Sequence, residues 1–128
     1  DNAPGPVEGS GAYIDAKMDI SRRHPFGSKV WASEVMHGAP VIQDYLETTL
    51  REWTEGRVRV IRRWIGEGKM APVDPHHLLY MIWATTQHYA DFSHQIETPN
   101  GGRTLSAKQW ADAKESVKAI ILRGIGAI

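Results

Sequence analysis

Apolar side chains return at intervals of three and four along most of this chain, the spacing that gathers them on one face of an α-helix. The longest such stripe runs from Val41 to Gly68 through Ile42, Tyr45, Leu46, Thr49, Leu50, Trp53, Val60, Ile61, Trp64 and Ile65. Val58–Ile61 alone would alternate like a strand, but it lies inside the longer helical pattern and is read with it. One helix of that length would span ~40 Å, and Gly56 weakens it near the middle. Punctuation predicts four more. Tyr13–His24 places Tyr13, Ile14 and Met18 on one side, and Pro25 both ends it and opens a helix to about His37, where Gly38 and Pro40 stop it. Asp74 is a good N-cap and Pro75 suits a first helical position, so a fourth helix runs from Pro75 to about Ile96. After the break at Pro99-Asn100-Gly101-Gly102, Ser106 and Gln109 stand at capping-box spacing and start the fifth. Asp1–Gly11, with Pro4, Gly5, Pro6, Gly9 and Gly11, reads as a linker or the remnant of an upstream helix. The expected fold is all-α: an antiparallel bundle of five helices with short loops, over residues 12–128.

The fourth helix is apolar nearly all the way round, from Leu78 to Ala84. Such a helix must be covered on every side, and five helices leave one side for a partner. Two copies packing their last two helices together would make a symmetric four-helix contact. Its expected residues are Leu79 and Ile82 from the fourth helix, with Trp110, Ala113, Val117, Ile120, Ile121 and Gly124 from the fifth. The plain alternative is an ordinary packed core. A polar cluster follows on the fourth helix. Gln87 and Asp91 are four apart and share a face, with Trp83 and Tyr89 beside them. Gln87 both donates and accepts, whereas Asp91 only accepts, so the pair could hold a small polar planar molecule between apolar walls. The same pair could instead cross-link neighbouring helices.

Composition narrows the chemistry. A length of 128 residues with 41% hydrophobic and 23% charged residues suits one folded domain. A formal charge of zero argues against this chain gripping nucleic acid through a basic face. Arg57, Arg59, Arg62 and Arg63 form the solvated back of an amphipathic helix. With no cysteine there is no disulfide, thiolate site or cysteine nucleophile. No apolar stretch is long enough for a membrane span, and no signal-like segment opens the chain, so a cytoplasmic location is expected. The opening Asp1 suggests a processed form or a fragment. His76 and His77 are adjacent and diverge by ~100°, while His88 and His94 diverge by ~120°, so no metal is expected. No nucleophile elbow, phosphate loop or dinucleotide fingerprint is present, so neither enzyme activity nor a cofactor is expected. The competing readings are a small helical-bundle enzyme or metal-binding protein, and a dimerisation module without a ligand.

The run Gly68-Lys69-Met70-Ala71-Pro72-Val73-Asp74-Pro75-His76-His77-Leu78-Leu79-Tyr80-Met81-Ile82-Trp83-Ala84-Thr85-Thr86-Gln87-His88-Tyr89-Ala90-Asp91-Phe92 resembles TetR-family regulators. Within that family it is similar to the branch that represses pyrimidine catabolism. Met36-His37-Gly38-Ala39-Pro40 and Ile120-Ile121-Leu122-Arg123-Gly124-Ile125 fit the same pattern, so the likeness extends from about Tyr13 to Ile125. The loop Pro99–Arg103 departs from it. The resemblance implies a helical effector-binding and dimerisation domain. It also implies a homodimer formed by the last two helices, and a missing N-terminal helix-turn-helix through which operator DNA would be bound. Uracil or thymine is the implied effector, with Gln87 and Asp91 in or near its pocket.

Overall fold

A computed structural model describes residues 3–128, so the start of the expected linker, Asp1 and Asn2, lies outside the described residues. Six helices follow one another with no strand among the described residues: α1 (Pro6–Arg23), α2 (Pro25–Met36), α3 (43–66), α4 (Pro75–Asp91), α5 (Ser93–Glu97) and α6 (Ala107–Gly124). The all-α class agrees with the periodicity. The sixth helix arises because the stretch read as continuous to Ile96 breaks at Phe92, whose backbone (φ −120°, ψ 38°) leaves helical geometry. Its ring stacks on His88 one turn back, at 5.1 Å between centroids.

The start of α1 corrects the expectation of a helix opening only at Tyr13. Pro6 occupies the first turn, where its missing N–H costs nothing, and residues 6–11 are helical. Gly9 is there for close approach. A Cβ on Gly9 would stand 2.9 Å from the Trp64 ring, and the same indole donates from Nε1 to the Pro4 carbonyl at 3.2 Å. Docking against Trp64 outweighs the weak helix propensity of Gly9 and Gly11. Gly9→Val should therefore lower stability by about 1–3 kcal/mol through overpacking, read as a shift in the urea midpoint at unchanged slope.

α3 is continuous through Gly56, which lies beside the solvated Arg59 side chain. It begins at Gln43 rather than Val41, and one turn, Leu46–Leu50, is wound as a π-helix. The caps predicted at Asp74 and Ser106 are both made: the Asp74 carboxylate accepts from the backbone N–H groups of His76 and His77, and Ser106 and Gln109 satisfy each other's backbone.

The core gathers Ile14 and Met18 of α1, Val58, Ile61 and Trp64 of α3, Leu78, Leu79 and Ile82 of α4, and Val117 and Leu122 of α6. α4 is the central rod and touches each of the other five helices. This places α4's inner face in the chain's own core, which corrects part of the expected partner contact. Leu79, Ile82 and Val117 are only 3%, 2% and 5% exposed, so they have no surface left to offer a second copy. Two half-buried ion pairs, Lys114–Asp19 (3.0 Å) and Lys118–Asp15 (3.1 Å), fasten α6 to α1. Ser21 Oγ donates to the Thr86 carbonyl at 2.7 Å and ties α1 to α4 in the interior.

Candidate functional site

A cavity of about 600 Å³ opens between α1, α2, α3 and α4. Helical spacing explains who reaches it. On α1, Tyr13, Lys17, Ser21 and His24 recur at steps of four, four and three, on the face beside that of Ile14 and Met18. On α4, Trp83 and Gln87 are one turn apart. On α3, Tyr45, Leu46, Thr49, Leu50 and Trp53 line the wall across the π-wound turn, whose extra residue widens the arc facing inward. α2 closes the rim with Ser28, Trp31 and Val35.

The walls are aromatic and joined ring to ring. Tyr13 and Trp53 lie 5.4 Å apart between centroids, Trp53 and Trp83 6.3 Å, and Trp31 meets Tyr45 edge-on at 5.9 Å. Trp83 Nε1 donates to the Tyr13 hydroxyl at 2.8 Å, so the polar ends of these two walls satisfy each other. The Arg57 guanidinium lies 5.6 Å from the Trp53 ring centroid. Burial raises the Tyr13 phenol above its ordinary range, against the opposing pull of the Trp83 hydrogen bond and the Arg57 charge, so the phenol stays neutral. Burial lowers the Lys17 ammonium below its ordinary range, only partly offset by the charge of Asp91. Lys17 is the one lysine, arginine, aspartate or glutamate that lines the cavity.

The expected effector residues divide. Trp83 and Gln87 both line the cavity. Asp91 stands behind the wall: its carboxylate accepts from Ser28 Oγ at 2.5 Å, and Ser28 is what faces the space. Tyr89 belongs elsewhere, a correction that follows from its register, since two residues beyond Gln87 is ~200° around the helix. Its ring packs on Trp110 at 5.7 Å, beside a separate pocket of about 280 Å³. Lys17, Trp53, Trp31 and Tyr45 were not singled out from the sequence. The signal for Lys17 was present in the Tyr13–Lys17–Ser21–His24 stripe, polar and aromatic beside the aliphatic one.

A second surface lies across the bundle. The outer side of α4 exposes Met81 (64%), with Tyr80, Ala84 and Thr85. α6 exposes Ile120 (71%), with Ser116 and Gly124 on the same side. Trp110, Ala113 and Ile121 are half-buried against the core edge. Among the described residues no three His, Asp or Glu side chains are grouped to hold a metal ion, and no helix is long and apolar enough to cross a membrane.

The TetR-type family model described as the C-terminal region of YcdC-like proteins matches residues 1–128. The chain belongs to the TetR family, as its C-terminal region. This TetR-type domain is 39% identical over 113 residues to the HTH-type transcriptional regulator RutR of Escherichia coli strain K12, and equally to RutR of Escherichia coli O157:H7 and of Shigella flexneri. The match covers 88% of the domain and 53% of each relative, so the chain spans about half the length of the curated relatives it matches.

Proposed function

We propose that this TetR-type domain is the effector-binding and dimerisation half of a one-component transcriptional repressor whose effector is a pyrimidine base such as uracil or thymine. The observation that carries the reading is the side-chain amide of Gln87 set in a cavity walled by Trp53 and Trp83. Indole faces suit a flat ring. An amide offers a donor and an acceptor side by side, the complement of an imide edge. The relatives' name, a transcriptional regulator of the helix-turn-helix type, supports the role. Binding rather than catalysis is the proposed work of the site, and a cytoplasmic location follows from acting on DNA.

The domain's zero formal charge leaves operator contact to a helix-turn-helix segment such as the relatives' name specifies. In a dimer two such segments stand about one turn of DNA apart, ~34 Å, and an effector that favours another spacing releases the operator. The coupling needed is modest, on the order of 1–3 kcal/mol. For the dimer contact we assign the outer faces of α4 and α6, centred on Met81 and Ile120, with Trp110, Ala113, Ile121 and Gly124 at or near its edge.

Calorimetric titration with uracil and thymine tests the effector. Gln87→Ala should weaken binding by about 1–3 kcal/mol, because the buried ring edge loses its partner. Unchanged affinity in that variant would remove Gln87 from the site.

A further inference from the structure

We infer that Lys17 reads an anionic oxygen on the effector, so that within the proposed pyrimidine class a ring carrying a carboxylate binds more tightly than the bare base. The inference rests on the cavity being the effector site. Three observations lead to it. First, the cavity carries an unbalanced cation. Lys17 lines it from α1, no carboxylate shares the lining, and among the described residues no acid lies within salt-bridge distance of its amine. Asp91, the acid whose charge reaches it, already accepts a hydrogen bond from Ser28 Oγ and lies outside the lining. Second, the surroundings strengthen any charge pair made there. Tyr13, Trp53 and Trp83 supply an apolar wall of lower dielectric than water, beside which an ion pair is worth more than in bulk water. Burial already disfavours the ammonium, and an oxyanion would supply the missing counter-charge.

Third, there is room. A bare six-membered ring displaces only a few waters, each holding ~30 Å³, while the cavity offers about 600 Å³. A ring stacked on Trp53 and Trp83, with its edge at Gln87, leaves space for a substituent on the Lys17 side. Gln87 and Lys17 then divide the recognition. The amide reads the neutral imide edge, and the ammonium reads the charge.

The intact chain is titrated with uracil, uracil-6-carboxylate, benzoate and benzamide, followed by calorimetry and by tryptophan fluorescence. The expected result is at least tenfold tighter binding of each carboxylate than of its uncharged counterpart. Lys17→Met should erase that preference and Lys17→Arg should keep it, with Lys17→Gln replacing Lys17→Met if the latter fails to fold. Gln87→Ala should weaken both pyrimidines and leave benzoate unchanged. Equal affinity for charged and uncharged rings in the native chain would overturn the role of Lys17 while leaving the cavity as the effector site. So would a carboxylate preference that survives Lys17→Met. Failure of all four compounds to bind would overturn both readings together.

Discussion

Trp64→Ala is expected to cost about 3–5 kcal/mol, the range for deleting a buried indole, out of the ~5–15 kcal/mol that a domain typically has in total. The ring sits in the core at the end of α3, receives Gly9 in van der Waals contact and donates to the Pro4 carbonyl. Truncation therefore does more than leave a hole. It removes the surface on which the glycine-bearing first turns of α1 rest, and those turns have little helix propensity of their own. Urea unfolding should show a large drop in midpoint, and amide exchange should show early loss of protection over residues 6–12. Trp64→Phe should recover part of the loss by refilling the core end of the hole, but not the hydrogen bond or the contact with Gly9, which the indole's outer ring makes. A cost below 1 kcal/mol for the alanine variant would mean that the start of α1 is held by something else.

Ile120→Asp is expected to give a monomer, whereas the native chain should sediment at about twice its 14.3 kDa mass. In the proposed four-helix contact an aspartate at this position would bury an unpaired carboxylate, which costs several kcal/mol and weakens association by a factor of at least ~100. Because Ile120 is 71% exposed in the single chain, the folding midpoint extrapolated to low concentration should not move. Leu79→Asp provides the contrast. Leu79 lies in the chain's own core, so the same charge there should unfold the domain rather than split a dimer. A native chain that sediments as a monomer at micromolar concentration would refute the contact.

The contrast between Leu79 and Ile120 marks how far the sequence could be read. The starts of α4 and α6 were legible because capping is local: Asp74 and Ser106 satisfy backbone N–H groups two or three residues away, and nothing distant intervenes. The inward face of α4 was not legible. Its apolar residues fall on both sides, Leu78, Leu79 and Ile82 on one and Tyr80 and Met81 on the other, so periodicity could not say which side meets the core. Residues 6–11 were misread for the opposite reason. Glycine-rich composition describes local preference, while the deciding contact is with Trp64, more than fifty positions away. The cavity was half legible. Gln87 and Trp83 lie on one helix and share a face, but Lys17, Trp31 and Trp53 come from three others, and only tertiary packing brings them together. The π-wound turn left no trace in the pattern, because its residues follow the same spacing as the helix around it.

α2 has no buried residue at all. Besides the edge of Trp31 on Tyr45, what holds it over the cavity is Ser28 on Asp91 and Lys29 on Ser93, bonds that water can replace at little net loss. The rest of the bundle adds a shared hydrophobic core to its polar ties, and hydrocarbon has no such substitute. On the proposed reading this segment is a door with light latches set in a firmer frame, and amide exchange in α2 should slow when a guest lodges behind it while the rest of the bundle is unchanged.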